Sequence, residues 1–151
     1  MSYILTNRGV RVKVDDEDKE NLSKYKWSLS RGYAYTSIKA DDVWRATPMH
    51  MLIMGTPKGH HTDHINGNTL DNRKGNLRIC TPAENGRNRK LNYNNKSGYK
   101  GVHKVSKNRW QARIVLSGEK INLGLYKSAF QASEAYNSAA KKYFREFAKL
   151  N

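Results

Sequence analysis

The sequence predicts an α+β protein built from small antiparallel sheets and a few helices. Short apolar runs alternate with polar residues along most of the chain and are separated by Gly, Asn and Asp turn signals, a pattern typical of strands. Near the C-terminus, Ala132, Ala135, Tyr136, Ala139 and Tyr143 fall at helical spacing instead. We therefore expect a β-rich N-terminal platform, a central strand–loop–strand–helix, and a C-terminal three-stranded antiparallel sheet packed on one helix.

The charge balance indicates a polyanionic partner. The 151 residues include 28 Lys and Arg against 13 Asp and Glu, a net charge of +15. Residues 1–85 carry 13 basic against 10 acidic side chains, whereas residues 86–151 carry 15 against 3. Affinity for nucleic acid is therefore expected mainly in the second part. A basic protein that binds no polyanion is the alternative.

The N-terminal segment, residues 1–56, is predicted to be a small β-rich platform with one helix. Asn7-Arg8-Gly9 separates two strand-like runs, and four consecutive acidic residues follow where a helix dipole favours them. The function of this platform is not indicated by its residues. The predicted elements are a hairpin of residues 3–6 and 10–14, a helix from residue 15 to about Tyr25, strands at 27–29 and 33–38, and a short apolar segment at 48–54 closed by Gly55.

The central stretch, residues 62–85, reads TDHINGNTLDNRKGNLRICTPAEN. Asp63 and His64 end a predicted strand that enters an Asn-Gly-Asn turn, and Leu77–Cys80 is the return strand. Thr81 then caps a helix that has Pro82 at its first position and Asn85 in its opening turn.

This order of strand, loop, strand and helix is expected to bring Asp63, His64 and Asn85 to one point. Carboxylate and carboxamide oxygens suit a hard divalent cation, and a nearby imidazole can move a proton. For Asp63 and His64 taken alone, an ordinary turn pair is the alternative.

The same stretch resembles the HNH endonucleases, specifically the homing-endonuclease branch with a ββα-metal core. The resemblance implies that His64 is the general base that activates water and that Asp63 and Asn85 ligate one divalent ion, Mg²⁺ or Mn²⁺. It also implies that Asn76 holds the loop and orients His64. The third motif position is Asn here, as in part of the family. The resemblance is carried by Asp63-His64, residues 66–68, residues 70–73, residues 76–78 and Asn85.

Basic side chains near this centre are candidates for DNA contacts. Arg73 and Arg78 are expected to clamp phosphate oxygens, although a salt bridge to Asp71 is an alternative for Arg73. In the linker that follows, residues 86–98, we expect Arg87, Arg89 and Lys90 to lie along a phosphate backbone. A merely solvated connector is compatible with the same residues.

Three histidines remain without a definite role. A zinc site at His60 and His61 is disfavoured because structural zinc usually draws on cysteine pairs, and Cys80 is the single cysteine. Contact with solvent or phosphate is favoured for both, and His50 is expected in the core or behind the site. The lone cysteine also excludes an intrachain disulfide.

The C-terminal part alternates apolar and polar positions along three predicted strands, and Ser128 is predicted to cap the final helix. The sheet face opposite the helix would carry Gln111, Arg113, Val115, Lys120 and Asn122. Such a polar, cationic face can enter the major groove of DNA.

Residues 97–151 resemble the APETALA-type DNA-binding domain of plant ethylene-response factors, which also occurs fused to phage HNH nucleases. The resemblance implies a sheet that reads the major groove, but several contact positions differ, so the plant target sequence is not carried over. Trp110 is expected in the core. The resemblance is carried by residues 99–102, 110–114, 122–124, 132–140 and 150–151, and the implied DNA contacts are Lys100, His103, Arg113, Lys120 and Asn122.

The predicted organisation is a platform at 1–56, an HNH nuclease core at 57–85, a basic linker at 86–98 and an APETALA-type domain at 99–151. The leading hypothesis is a metal-dependent, site-specific DNA endonuclease of the homing type that acts on double-stranded DNA. We expect it in the cytoplasm of a phage or bacterial host cell, as a monomer with no obligate protein partner and no membrane association. The alternatives are a sequence-specific DNA-binding regulator with an inactive nuclease core, and an RNA-binding protein.

Overall fold

The structure is a computed structural model that describes residues 1–88 and 91–151. The predicted DNA contacts Arg89 and Lys90 lie outside the described residues. With 28% helix and 37% strand in several small antiparallel sheets, the protein has the predicted α+β fold. The chain divides into two compact units, Met1–Asn85 and Gly86–Asn151.

The first unit contains three small sheets and three helices. Strands β1 and β2 form a hairpin, β3, β4 and β5 form a meander, and β6 and β7 form a second hairpin. A short 3-10 helix, Lys74–Asn76, precedes β7. In chain order the elements are β1 (Ser2–Leu5), β2 (Arg11–Val14), α1 (Asp16–Ser23), β3 (Ser28–Ser30), β4 (Tyr33–Ala40), β5 (Val43–Pro48), α2 (Met49–Met54), β6 (His61–His64), β7 (Leu77–Cys80) and α3 (Pro82–Arg87).

One apolar cluster holds the platform together. Val12, Val14 and Met49 are fully buried, and Trp27 is nearly so. The indole Nε1 of Trp27 donates a hydrogen bond of 2.8 Å to the carbonyl of Leu22. Each such side chain contributes about 1.5–3 kcal/mol by burial, and together they fix α1 and α2 against the strands.

Two elements were not predicted from the sequence as strand or helix. The segment Val43–Pro48 forms β5 because it pairs with β4 along its whole length, from Val43 to Pro48. The apolar segment that follows is helix α2, and Gly55 ends it with φ +55°. A short apolar run is compatible with either a strand or a helix, so periodicity alone does not distinguish them.

The platform is fastened to the loop between β6 and β7. The backbone N–H of Lys13 donates to the carbonyl of Leu70, and the N–H of Asn72 donates to the carbonyl of Lys13, both at 2.8 Å. The hydroxyl of Thr69 donates to the carbonyl of Gly32 at 2.7 Å. The loop therefore rests on the platform at two separate places.

The second unit is a three-stranded sheet covered on one face by a long helix, as the sequence predicts. Ser128 caps the helix by accepting a hydrogen bond from the N–H of Gln131. Ile114, Ala140 and Phe144 are buried in the interface between sheet and helix. Trp110 packs against a second buried cluster, formed by Val102, Ala112 and Ala132. The elements are β8 (Val102–Ser106), β9 (Arg109–Leu116), β10 (Glu119–Tyr126) and α4 (Ala129–Phe144), with strand order β10-β9-β8.

Among residues 1–88 and 91–151, none of the helices combines the length and apolar character needed to cross a bilayer.

Candidate active site

The helix α3 begins at a capping box. Thr81 Oγ1 accepts a hydrogen bond from the backbone N–H of Glu84, and the Glu84 carboxylate accepts one from the N–H of Thr81 at 2.8 Å. Pro82 occupies the first helical position, where a missing N–H costs nothing. These local signals place Asn85 on the helix just after β7. The helix extends to Arg87, beyond the predicted end of the nuclease core at residue 85.

The side chain of Asn76 closes the loop at residues 65–76. Its Oδ1 accepts a hydrogen bond of 3.0 Å from the backbone N–H of Asn66. Its Nδ2 donates to the carbonyl of Asp71 at 2.8 Å. Because Asn76 is itself 8% exposed, these bonds are shielded from water and hold the loop in one conformation.

Asp63 forms an ion pair with Arg78 on the neighbouring strand. The two residues are directly opposite in the β6–β7 register, and both Nε and an Nη of Arg78 donate to Oδ2 of Asp63, at 3.1 and 2.8 Å. The Asp63 side chain is 8% exposed. Arg78 is also a predicted phosphate contact, and its guanidinium is bound to this carboxylate in the structure.

His64 is buried among polar and aromatic side chains. Its Nε2 lies 3.4 Å from Oδ1 of Asn72, and its ring centroid lies 4.9 Å from that of His50 and 6.0 Å from that of Tyr33. Burial lowers the pKa of His64, although the Asn72 contact and the carboxylates of Asp63 and Asp71 act in the opposite direction. A neutral imidazole can accept a proton.

Two aromatic rings lie beside His64: that of His50, which the sequence predicts in the core or behind the site, and that of Tyr33, which the sequence did not identify. The rings of His50 and Tyr33 are 5.4 Å apart, so both pack on the same side of His64. Burial lowers the pKa of His50 to about 4, and the nearby His64 adds to this shift. His50 is therefore neutral at pH 7. The sequence signal for His50 was its position within an otherwise apolar segment, and that signal did not indicate that His64 would be its neighbour.

Asn85 contacts His61 at the start of β6. The distance between Asn85 Nδ2 and His61 Nδ1 is 3.0 Å. Successive side chains of a strand project from opposite faces, so His61 and Asp63 share one face of β6. His64 follows Asp63 directly and faces the other way, towards His50 on α2.

The structure thus separates the predicted catalytic set into two groups. Asp63 and Asn85 are associated with one face of the β6–β7 hairpin, because Asn85 contacts His61 and His61 shares that strand face with Asp63, whereas the contacts of His64 just described lie on the opposite face. Asp63 and His64 are nevertheless adjacent in the chain at the end of β6, and both are buried.

The donor set at this face fits a hard divalent cation. A carboxylate and a carboxamide oxygen are the ligand types that Mg²⁺ and Mn²⁺ take, with further positions filled by water and phosphate. Within the part of the chain that the structure describes, no three His, Cys, Asp or Glu side chains are grouped closely enough to hold a metal.

Arg73 binds Asp71 through its guanidinium. Its Nε and an Nη each donate to the carboxylate at 2.7 Å. This is the salt bridge that the sequence left open as an alternative. The guanidinium keeps the pKa of Asp71 below its usual range, and a weaker hydrogen bond from Asn66 adds to the effect.

The second unit displays part of the predicted DNA-contact set on one sheet face. The register pairs His103 with Gln111, Arg113 with Asn122, and Val115 with Lys120. These side chains face away from Ala112 and Ile114, which are buried under α4. The pKa of His103 is lowered by burial and by the charge of Arg113.

Two other predicted contacts are engaged within the second unit. The ammonium of Lys100 donates to the carbonyl of Arg87 at 2.9 Å, and burial lowers its pKa to about 8. The guanidinium of Arg87 stacks over the ring of Phe144 at 4.4 Å. Both side chains therefore have a structural role in this unit.

A short hairpin and a helix carry these polar groups within a strongly basic α+β protein. Comparison with known proteins gives the family. The sequence profile described as HNH endonuclease matches residues 53–87, the segment that contains β6, β7 and α3.

Two viral proteins are similar to this chain. A protein described as an uncharacterized HNH endonuclease of Acanthamoeba polyphaga mimivirus is 33% identical over 132 residues, which cover 86% of this chain and 68% of that protein. Protein 3.8 of Escherichia phage T7 is 41% identical over 68 residues, which cover 44% of this chain and 55% of that protein. The chain belongs to the HNH endonuclease family and is therefore a nuclease, a hydrolase whose substrate is DNA.

Proposed function

We propose that the protein is a metal-dependent, site-specific DNA endonuclease of the homing type. His64 is its general base, and Asp63 and Asn85 hold one Mg²⁺ or Mn²⁺ ion. The observation that carries the proposal is the contact of Asn85 with His61, which lies two residues from Asp63 on the same face of β6. The similarity to HNH endonucleases over the same residues supports it.

When bound, the ion supplies positive charge to the phosphate oxygens as negative charge develops during hydrolysis. The chain provides the remaining functions. Arg78 donates two hydrogen bonds to the carboxylate of Asp63 and so fixes its direction. Asn76 holds the loop that follows His64, which limits how far the ring can move.

His64 accepts the proton of the attacking water on its imidazole. Burial keeps the ring neutral before the reaction, and Asn72 and His50 restrict its orientation. Once protonated, the imidazolium lies near the carboxylates of Asp63 and Asp71, which favour that charge. A single centre per chain acts on one strand, so nicking by a monomer is the expected outcome.

We further propose that the second unit is an APETALA-type domain that positions the DNA. Its exposed sheet face carries His103, Arg113, Asn122 and Lys120 opposite the helix-covered face. The excess of 15 basic over 3 acidic residues in this part of the chain supports a role in phosphate binding.

The variant His64→Ala tests whether cleavage and DNA binding depend on different parts of the chain. We expect cleavage of supercoiled plasmid in Mg²⁺ or Mn²⁺ to fall by at least about 100-fold, the usual scale for loss of a general base. Binding of the same duplex, measured by fluorescence anisotropy in Ca²⁺, should change less than about threefold because His64 is buried and distant in sequence from the sheet face.

His60→Ala is the matched control, since it removes an exposed imidazole four residues away on the same segment. It should cleave like the unmodified protein. Equal losses of binding and cleavage in His64→Ala would contradict the proposal, as would full cleavage activity in that variant.

A further inference from the structure

His61 has no role in the proposed reaction, yet it is the side chain that contacts one of the two proposed metal ligands. Its Nδ1 lies 3.0 Å from the Asn85 amide nitrogen. The backbone at His61 is held in the β6–β7 register opposite Cys80, whose thiol lies 3.6 Å from the His61 carbonyl oxygen. An exposed imidazole is thus held at a fixed position directly beside Asn85.

A carboxamide has two different ends, and only its oxygen can ligate a cation. A neutral histidine with its proton on Nε2 has a lone pair on Nδ1 and accepts a hydrogen bond from an amide N–H. In that arrangement Nδ2 of Asn85 faces the imidazole and Oδ1 faces away from it. The opposite tautomer would donate to Oδ1 and occupy the atom that the cation needs.

We propose that His61 is a positioning residue of the metal centre. Its Nδ1 accepts a hydrogen bond from Nδ2 of Asn85 and so presents Oδ1 of Asn85 to the divalent ion shared with Asp63. This inference rests on the proposed function, because it assumes that Asn85 is a ligand.

The geometry supports a role through Asn85 rather than direct ligation. Nδ1 of His61 is occupied by the Asn85 amide, whereas Asp63 on the same strand face already supplies a charged oxygen. Hydrogen-bond partners of metal ligands commonly affect metal affinity by about 10–100-fold. His61 is placed to act in this way, because its contact is with the ligand side chain.

Three variants of the full chain test the proposal by titration with Mn²⁺ alone. Binding is measured by isothermal titration calorimetry and by the electron paramagnetic resonance signal of free Mn²⁺. His61→Leu removes the acceptor while keeping a similar volume, and we expect at least about tenfold weaker Mn²⁺ binding. His61→Asn restores an acceptor oxygen close to the position of Nδ1, and binding should return to within about threefold of the unmodified protein. His60→Leu is the control and should not change the affinity.

The double variant separates a positioning role from an independent one. In an Asn85→Ala background, His61→Leu should cause no further loss of Mn²⁺ affinity, because the side chain that it orients is gone. A further loss of the same size would show that His61 acts on the ion independently and would overturn the proposal. Unchanged affinity in His61→Leu would overturn it as well.

Failure of the underlying metal site gives a different result. If Asn85→Ala and Asp63→Ala both bind Mn²⁺ like the unmodified protein, the proposed ligands are wrong and the inference about His61 falls with them. If those variants lose affinity and His61→Leu does not, only the positioning role is overturned. Thermal unfolding midpoints within about 2 °C of the unmodified protein confirm that an exposed substitution has left the fold intact.

Discussion

At the scale of single residues, the pair of Asp71 and Arg73 gives the loop beside His64 a defined pH dependence. The Asp71 side chain is 3% exposed and accepts two hydrogen bonds of 2.7 Å from Arg73. We expect Asp71→Asn to lower the free energy of unfolding by about 1–3 kcal/mol near neutral pH.

The sign of the pH effect follows from the direction of the Asp71 pKa shift. The pKa is lower in the folded than in the unfolded protein, so the unfolded state takes up a proton first as the pH falls. The stabilisation is therefore fully present above the unfolded pKa, about 4, and is lost as the pH falls through the lower folded value. Urea unfolding of both proteins between pH 3 and pH 7 should show the difference shrinking below about pH 4.

Asp42→Asn provides the matched control. Asp42 also pairs with a basic side chain, Lys39 at 2.8 Å, but its own side chain is 96% exposed. Exposed pairs contribute about 0–1 kcal/mol, so this variant should unfold almost like the unmodified protein at every pH. A difference at Asp71 that stays constant down to pH 3 would show that its charge is not what stabilises the loop.

The side chains of the site differ in how far the sequence predicts them. The capping box of Thr81 and Glu84 is a local pattern, so the position of Asn85 on α3 was predictable. The contacts of His64 with Tyr33 and His50 were not predictable, although His50 was expected in the core or behind the site, because the two rings come from β4 and α2 and only the tertiary fold brings them there. The ion pair of Asp63 with Arg78 depends on strand register, which the sequence left open.

At the scale of elements, Gly101 controls how closely the sheet of the second unit approaches α4. A Cβ at this position would lie 2.3 Å from Cδ2 of Tyr136 and 2.4 Å from the carbonyl oxygen of Arg113. The residue also has φ +65°, which disfavours any side chain. We expect Gly101→Ala to destabilise the second unit by about 2–5 kcal/mol, combining backbone strain with overpacking.

Gly98→Ala is the control that isolates backbone strain, so its difference from Gly101→Ala gives the contribution of packing. Gly98 has φ +75°, but a Cβ there would meet nothing within 4 Å. It should therefore cost only the backbone strain, about 1–2 kcal/mol. Amide hydrogen exchange of residues 102–116 measures both variants in the full chain, and equal protection in the two would exclude close packing at Gly101 as the main effect.

Elements bounded by strong local signals were predictable, and elements that depend on a partner were not. The β1–β2 hairpin, the β6–β7 hairpin and α4 are each delimited by turn or capping residues, and the structure has them close to the predicted bounds. In contrast, β5 has exposed side chains on both faces over Val43–Ala46, so it shows no alternation, and its pairing with β4 makes it a strand.

At the scale of the whole molecule, the uneven charge decides how binding responds to salt. Residues 86–151 carry a net charge of +12 and residues 1–85 carry +3. Binding of a polyanion releases counterions in proportion to the number of phosphates neutralised. The salt dependence of DNA binding should therefore come mainly from the second unit. Each phosphate contact contributes about one to the slope of log K against log salt.

Lys120 and Arg113 on the exposed sheet face allow a phosphate contact to be distinguished from a base contact. Lys120→Gln should weaken binding equally for all sequences and reduce the slope of log K against log salt by about one, as expected for a phosphate contact. Arg113→Ala should weaken binding of the preferred sequence by about 1–3 kcal/mol and reduce sequence preference, because a guanidinium in the groove reads base edges.

Lys26→Gln is the control: it removes one positive charge from the first unit, as Lys120→Gln does from the second, and should leave the slope of log K against log salt unchanged. Fluorescence anisotropy with the cognate and a scrambled duplex, between about 50 and 200 mM salt, measures all three variants. Equal changes of slope for Lys26→Gln and Lys120→Gln would contradict the assignment of phosphate binding to the second unit, because the two substitutions change the total charge by the same amount and differ only in where the charge lies.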